Sequence, residues 1–525
     1  MANLFAALRL VRAVWVLSRE GVIAALPRQG LSGPALTGHT IATRLARKRT
    51  EGLGSAQRMT RAIARLGPSY AKLGQFLATR PDIIGLQMAV DLANLQDNME
   101  SFPSADAYRR IEESLGLPVD DLYARIEDPI AAASIAQVHP AVTRGANGGE
   151  RKVAVKVIRP GVRARFDRDL EAFFLFARLQ ERYIPSSRRL RPVAIAETLA
   201  QSTRIEMDLR LEGAALSELA ENTRDDPGFR VPKVDWQRTG RDVLTMEWID
   251  GIKMSDVNAL RAAGHDLPKL AVNVIQSFLR HAMRDGFFHA DMHPGNLFVV
   301  PNGDIVAVDL GIAGRIGIKE RRFLAEILYG FIRRDYRRVA EVHFEAGYVP
   351  ASHDVEAFAQ ALRAVGEPIR DQSADTISMG NLLTLLFDVT DIFDMQTRPE
   401  LLLLQKTMVV AEGNARMLDP QFDMWAAAEP IVGEWVRHNL GPAALVNDTR
   451  EGLHAAYRLA RQLPDLAKRT EQLTHEIGEM AEIGMKLAPE TVEAIGKAEA
   501  RESRWGRVAL WIIALAAIWV AIAVS

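Results

Sequence analysis

The chain has 525 residues, enough for more than one core, with 65 Lys plus Arg against 66 Asp plus Glu and a formal net charge of -1. That balance leaves no electrostatic footprint for nucleic acid. There is no cysteine, which excludes structural disulfides, thiolate zinc sites and cysteine nucleophiles and fits a reducing compartment.

Residues 1–27 place Leu4, Phe5, Leu8, Val11, Val14 and Trp15 among Arg9, Arg12 and Arg19, with no acid before Glu20. The apolar run is short and broken by arginine, a poor signal peptide. It reads either as a basic helix on a membrane surface or as a helix packed on its own domain. Residues 40–50 carry Arg44, Arg47, Lys48 and Arg49, a solvated linker or helix face. The stretch Pro68 to Arg80 predicts a helix, with Pro68 near its start. It contains Lys72-Leu73-Gly74-Gln75, and Gly74 inside a helix costs about 1 kcal/mol relative to alanine. Leu86 to Gln96 and Ala105 to Leu115 predict two further helices.

At Ile130 the pattern turns from helix to strand. Ala131-Ala132-Ala133-Ser134 precedes the alternating run Ile135 to His139, and residues 145–149 form a glycine-rich turn. A small-residue loop between strands lets backbone N–H groups approach a phosphate, although an ordinary tight turn has the same composition. Lys152 to Ile158 predicts a strand in which Ala154, Lys156 and Ile158 share one face and Val153, Val155 and Val157 the other. Lys156 among apolar neighbours needs a partner such as a phosphate or a Glu; taken alone it is more often a surface lysine.

Residues 192–222 predict one long helix holding Glu206, Asp208 and Glu212, and Asp242 to Ile249 a strand running into a hinge at Asp250-Gly251. Residues 267–287 form a helix leading into Phe288-His289-Ala290-Asp291-Met292-His293-Pro294-Gly295-Asn296. Two apolar runs, Leu297 to Val300 and Ile305 to Val308, then flank Asn302-Gly303, a strong hairpin signal. A two-residue turn there sets Asn296 opposite Asp309, with Cβ atoms about 4.5–5.5 Å apart. An amide oxygen and a carboxylate that close suit Mg²⁺ holding phosphates. Asp291 in the preceding loop completes the layout of a catalytic loop and a metal-binding loop of phosphotransfer enzymes. After Gly314 the chain is mostly helical to about residue 500. Phe331 to Tyr336 and Ala411-Glu412-Gly413-Asn414-Ala415-Arg416 carry no readable chemistry. Val508 to Val524 is uncharged, follows Arg501, Arg504 and Arg507, and is marked by Trp505, Trp511 and Trp519. Counted from Trp505 it is long enough to span a bilayer, and its basic flank puts the folded part in the cytoplasm.

The order of these features resembles the protein-kinase-like fold: small-residue loop, strand lysine, helix glutamate, hinge, His-x-Asp-x-x-x-x-Asn, Asp-x-Gly. The departures from that pattern look like the UbiB-type atypical kinases, also called aarF-domain kinases. Ala131 to Ser134 replaces a glycine-rich loop, His289-Ala290-Asp291 replaces His-Arg-Asp, and Lys72 to Gln75 and Glu206-Met207-Asp208 are added. The resemblance covers about residues 55 to 345. It implies an α+β chain with a two-lobed kinase-like fold, helical N- and C-terminal extensions and a C-terminal transmembrane helix. The expected divisions are 1–50 (basic amphipathic segment), 51–125 (helical extension), 126–250 (N-lobe), 251–430 (C-lobe), 431–504 (helical) and 505–525 (anchor).

The implied function is an atypical kinase or ATPase at the bacterial inner membrane, on its cytoplasmic side. It would use ATP and Mg²⁺ to support ubiquinone biosynthesis and act on or near prenylated phenol lipids rather than proteins. Membrane lipids, quinone precursors and other biosynthetic proteins are the implied partners. Carried over residue by residue, Asp291, Lys156 and Asn296 form the catalytic set, and Asn296 and Asp309 hold the metal. Ile130, Ala131, Ala132, Ala133 and Ser134, then Ile135, Ala136, Gln137 and Val138, lie along the nucleotide. Lys156 pairs with Glu212 and contacts the α/β-phosphates, and Met246 and Trp248 border the adenine. Lys72, Gly74 and Gln75 meet Glu206 and Asp208 as a regulatory set. Two other readings compete: a soluble kinase of the aminoglycoside or choline type, which lacks the Lys72 to Gln75 element and the anchor, and a nucleotide-switched lipid-binding scaffold. A metallohydrolase built on His289, Asp291 and His293 would need a second ligand cluster that the sequence does not offer.

Overall fold

The computed structural model describes residues 2–25, 34–46, 54–78, 92, 100–144, 149–183, 191–370, 389, 392–395 and 399–440. The chain divides into two compact units, Met1–Arg437 and His438–Ser525, and the following concerns the first. The expected anchor at 505–525 and almost all of the helix expected at Leu86 to Gln96 lie outside the described residues. Among the described residues no helix is long and apolar enough to cross a membrane.

Five helices open the chain: Ala2–Arg19, Val22–Ala25, Pro34–Leu45, Ser55–Leu66 and Pro68–Ala78. The first buries Ala13 and Val16 against Ala62 and Leu66. Its other side leaves Leu4, Phe5, Leu8, Val11 and Trp15 exposed, so packing on its own domain accounts for one face of the helix only. Gly67 separates the fourth helix from the fifth with φ +101. Pro68 restarts the helix with its φ already set. A side chain at Gly67 would collide with Arg165, whose guanidinium donates to the Leu66 carbonyl at 2.7 Å.

Helices Ser104–Leu115 and Val119–Leu122 lead into β1 (Arg125–Ile126), β2 (Ala131–Ala132), β3 (Ala136–Arg144) and β4 (Glu150–Ile158). Three helices follow, Val162–Tyr183, Pro192–Glu206 and Leu209–Asn222, then β5 (Phe229–Arg230) and β6 (Val243–Glu247). The five-stranded sheet runs β1-β3-β4-β6, with β2 also on β3. One face packs Val153, Val155, Val157 and Val243 on Ala107 and Ile111. Alternation therefore sends Ala154 and Lys156 to the opposite face.

The long helix expected over 192–222 is two. Asp208 caps the second, its carboxylate accepting from the Arg210 backbone N–H at 3.2 Å, and the break falls at Met207-Asp208. An Asp that can cap competes with helix continuation, because its oxygen satisfies an N–H that the helix would otherwise leave bare.

Beyond the sheet come β7 (Ile252–Lys253), helix Leu267–Arg280, a π-helical turn at His281–Asp285 and β8 (Phe287–His289). Then follow β9 (Leu297–Val299), β10 (Ile305–Ala307) and β11 (Ala313–Arg315). A four-stranded sheet runs β5-β10-β9-β7, and β11 pairs β8. Helices Ile318–Arg333, Tyr336–Glu345, Val355–Arg370, Pro399–Leu418 and Met424–Leu440 complete the described chain. The core around Phe278, Phe288, Leu297 and Ile305 also takes in Leu404, Ala411 and Ala415 of the Pro399–Leu418 helix.

The hairpin is real, but its register differs by one residue from the expected one. Ile305 faces Val299 and Ala307 faces Leu297, and the Val308 N–H donates to the Asn296 carbonyl at 3.0 Å. Asn296 therefore stands opposite Val308, not Asp309. The cause is Pro301. A two-residue type I′ turn needs positive φ at both Asn302 and Gly303. Only Gly303 has it, at +89. Instead Val300 to Gly303 forms a turn closed by the Gly303 N–H on the Val300 carbonyl at 2.8 Å, and the Val300 N–H reaches the Asp304 carbonyl at 3.0 Å. Proline favours the second position of a type I turn, and the following left-handed glycine makes a three-residue loop.

Candidate active site

Lys156 projects from β4 between Val138 on β3 and Leu244 on β6. Its ammonium donates to both carboxylate oxygens of Glu212, at 2.7 and 2.9 Å. Glu212 sits in the first turn of the Leu209–Asn222 helix, where a carboxylate also suits the helix dipole. The same ammonium reaches Asp309 Oδ2 at 3.2 Å. One side chain thus joins the five-stranded sheet, a helix and the segment after β10.

Burial by itself would lower the Lys156 pKa, but the Asp309 and Glu212 carboxylates outweigh it and the pKa rises. Burial is also the main influence on Glu212, whose carboxyl is pushed up although Lys156 opposes the shift. The two directions conflict only on the surface. One ammonium serves two carboxylates, so Lys156 stays charged and Glu212, the more deeply buried acid, is the harder one to ionise. Asp309 goes the other way: burial would raise it, yet Lys156 and the Gly311 N–H, 3.0 Å from Oδ1, hold it well below the usual carboxylate range. Its side chain remains 42% exposed, so this acid reaches solvent rather than being sealed in a core.

The second half of the site is the segment Ala290 to Asn296 between β8 and β9. The Ala290 N–H donates to the Ile312 carbonyl at 3.1 Å, and the Asp291 N–H donates to His289 Nδ1 at 3.1 Å. His289 is 1% exposed and burial lowers its pKa. Burial thus disfavours the charged ring, and Nδ1, which accepts the Asp291 N–H, leaves Nε2 as the position for the proton of a neutral ring. Asn296 Nδ2 donates to the Asp291 carbonyl at 3.2 Å and to its carboxylate at 3.4 Å. The Asn296 amide oxygen is then the donor left for a cation, and Asp309 offers an ionised oxygen. Two hard oxygen ligands completed by substrate phosphates suit Mg²⁺, so the chemistry of the two residues fits the ion although the facing register expected of them is absent. Among the described residues no hydrogen bond joins Asn296 to Asp309, and no group of three or more His, Asp or Glu could hold a metal by itself.

Residues 94–343 match the model of the ABC1 atypical kinase-like domain, and residues 362–423 match that of the UbiB helical domain. A curated protein of Marinobacter nauticus named "Probable protein kinase UbiB" is 38% identical over 463 residues, 87% of this chain and 84% of that one. A protein of the same name from Aeromonas hydrophila is 38% identical over 471 residues, 89% and 86% of the two chains. The chain belongs to the UbiB-type atypical kinase family. It is accordingly an enzyme of the atypical-kinase, phosphotransferase type, and nucleotide binding goes with that family. A solved complex of Rv3197 with erythromycin from Mycobacterium tuberculosis is similar at 23% identity and a TM-score of 0.48, over 70% of this chain and 92% of that one.

Within this UbiB-type chain the remaining sequence candidates fall into separate places. Ala131 and Ala132 pair with Val138 and Gln137, so the small-residue segment is a hairpin whose tip is Ala133-Ser134-Ile135. Ala136 and Val138 share the face of Lys156, and Met246 on β6 lies opposite Ala154 on that face. Gln137 points the other way, its amide bonded to the Phe102 backbone and to His139. Ile130 is exposed, Ser134 is buried, and Trp248 donates to Asp250 at 3.2 Å. Lys72 forms an ion pair with Glu206 in which the side chains are 13% and 8% exposed. Burial raises the Glu206 carboxyl, and Lys72 opposes it. Gln75 accepts from Lys72 at 3.1 Å rather than meeting the acids, and Gly74 is buried. Asp208 serves as the helix cap and pairs with Arg210 at 2.6 Å.

Helix is expected from the sequence here, but not the contacts that the Pro399–Leu418 helix makes with the site. Thr407 donates to the Ala290 carbonyl at 3.2 Å, Asn414 donates to the Met292 carbonyl at 2.7 Å, and Lys406 Nζ lies 3.7 Å from Asp291 Oδ1. Polar residues among Leu404, Ala411 and Ala415 on one helix were the only available signal, and composition does not say what they touch.

Proposed function

We propose that the protein is a membrane-anchored atypical kinase or ATPase that uses Mg-ATP in support of ubiquinone biosynthesis, acting on or near prenylated phenol lipids rather than on proteins. The observation that carries this reading is the Lys156 ammonium held between Glu212 at 2.7 Å and Asp309 at 3.2 Å. A buried cation fixed beside an ionised acid that reaches solvent is what anchoring polyphosphate requires. In this reading the five-stranded sheet and the helical part from β7 onward act as two lobes, with the nucleotide between them. The domain divisions of the sequence analysis follow, including a C-terminal single-pass anchor in the inner membrane, with the kinase-like domain on its cytoplasmic side.

Lys156 contacts the α/β-phosphates and Glu212 holds it in place. Met246 and Trp248 border the base, and the Ala131 to Ser134 hairpin covers the phosphates. Asn296 and Asp309 hold Mg²⁺, which neutralises phosphate charge when bound. Asp291 accepts the proton of the attacking hydroxyl or water, and Asn296 orients Asp291. Positioning and charge neutralisation supply most of the catalysis. The buried Lys72–Glu206 pair, which ties the Pro68–Ala78 helix to the end of the Pro192–Glu206 helix, supports a site closed to peptides.

The test is ³¹P-detected ATP turnover in membranes, with and without a prenylated phenol, comparing wild type with Asp309→Asn. The variant should fold normally and lose turnover, and the phenol should stimulate the wild type. Unchanged turnover in Asp309→Asn would falsify the assignment of the site.

A further inference from the structure

The loop from His289 to Asn296 contains no lysine or arginine. A transferring phosphoryl group nevertheless spreads negative charge over its equatorial oxygens, and fixed positive charge aimed at that point is a large source of rate. Lys156 is committed elsewhere, to Glu212 and Asp309. Lys406 arrives from the Pro399–Leu418 helix, far beyond the loop in sequence, with Nζ 3.7 Å from Asp291 Oδ1. The two side chains are 31% and 39% exposed, so both ends of the pair face open space rather than the core.

Lys406 is delivered there in a defined register. Thr407 grips the carbonyl of Ala290 and Asn414 grips that of Met292, the residues on either side of Asp291. Thr407 is 1% and Asn414 3% exposed, and a buried side-chain-to-backbone hydrogen bond costs its full desolvation penalty when broken. The helix therefore moves with the loop, and the ammonium stays beside Asp291.

We infer that Lys406 is a further catalytic residue, whose ammonium contacts the phosphoryl group as it passes to an acceptor oxygen held at Asp291. This rests on the Mg-ATP reading above. In the step, the acceptor oxygen forms a bond to the γ-phosphorus and the bond from that phosphorus to the β–γ bridging oxygen breaks. ADP leaves with the electron pair, and the acceptor's proton passes to Asp291. Lys406 makes and breaks no covalent bond. It offsets charge that is greatest in the transition state, so its removal acts mainly on kcat, weakens only the ground-state contact to the third phosphate and spares ADP binding.

The experiment compares wild type, Lys406→Met, Lys406→Arg and Asp309→Asn by ATP turnover, by ADP affinity, and by the affinity of a non-hydrolysable ATP analogue. Removing one charge-stabilising donor costs about 10²–10³ in kcat, and that is expected for Lys406→Met, with ADP affinity and thermal stability retained. The preference for the analogue over ADP should narrow, because only the analogue carries the third phosphate. Lys406→Arg should recover part of the loss. The inference is overturned if Lys406→Met turns over within about threefold of wild type. It is also overturned if ADP affinity and stability fall in step with turnover and arginine rescues nothing, which would make Lys406 part of the helix clamp alone. Turnover that survives Asp309→Asn sinks the nucleotide reading. Turnover that Asp309→Asn abolishes and Lys406→Met spares sinks only the role of Lys406, and the analogue-to-ADP ratio reports on Lys406 even in a preparation that hydrolyses slowly.

Discussion

Replacing Lys156 by methionine separates the electrostatic role of the cluster from its proposed catalytic one. Methionine keeps most of the apolar stem but removes the ammonium that lies 2.7 and 2.9 Å from the two Glu212 oxygens. The side chains of that pair are 10% and 5% exposed. Stranding one partner of a buried ion pair costs about 3–5 kcal/mol. Asp309, at 42% exposure, adds little to this sum because water screens it. Glu212 has one escape, which is to bind a proton. Burial already raises its carboxyl, and the loss of Lys156 raises it further. The sign follows from linkage. A group whose folded pKa exceeds its unfolded value contributes fully below the unfolded value and loses that contribution as pH rises toward the folded one, by about 1.4 kcal/mol per unit. Lys156→Met should therefore cost least near pH 5 and most above pH 8. At about 2–4 °C per kcal/mol for 150–250 residues, and less for a larger cooperative unit, the full penalty lowers Tm by at most roughly 6–20 °C. Calorimetric melts across that pH range measure it. Adding Glu212→Gln removes the stranded charge, so the double variant should regain most of the stability at high pH while ATP turnover stays absent. A deficit of the same size at every pH, or a double variant no more stable than the single one, would refute the reasoning.

Two further outcomes test other parts of the chain. Asp226 is pulled down to about 2; burial opposes the shift, and the His281 and Arg284 hydrogen bonds drive it. Burial lowers His281 itself, so the permanently charged Arg284, at 2.6 Å, is the dependable partner. A lowered carboxyl contributes stability above its unfolded pKa, here roughly 2 kcal/mol. Wild type should lose that amount between about pH 4 and pH 2, and a melt series on Asp226→Asn, lower in stability at neutral pH, should show a flatter profile there. Gly303→Ala places a Cβ at φ +89 with nothing within 4 Å, so strain alone acts, at about 1 kcal/mol. Its melt should shift by only a few degrees and its turnover should be unchanged; a large loss of turnover would mean that the turn supports the site.

Much of the site was legible because its signals are local. Alternation in Lys152 to Ile158 sets Lys156 apart from three valines, and the strand is there with those valines at 0% exposure. The motif from His289 to Asn296 and the hairpin after it were readable from residue types, since loop chemistry and turn propensity act over a few residues. The register of that hairpin was not. Asn302-Gly303 and Pro301 favour different turns, and the proline's fixed φ prevails over the two-residue alternative. The split of the 192–222 helix was missed for a similar reason: Asp208 is legible as a cap only once the break is known.

Sequence alone determined which side chains are candidates for the chemistry and which strand faces carry them. The tertiary structure alone decided which of these groups meet. Lys156 finds Glu212 and Asp309, Lys72 finds Glu206 but not Asp208, and Thr407, Asn414 and Lys406 close on three consecutive residues, Ala290 to Met292. These contacts join segments far apart in the chain and leave no periodicity behind. Residue order restricts neighbours by local sterics and hydrogen bonding, whereas a long-range ion pair exists only after hydrophobic packing has brought two elements to the same place.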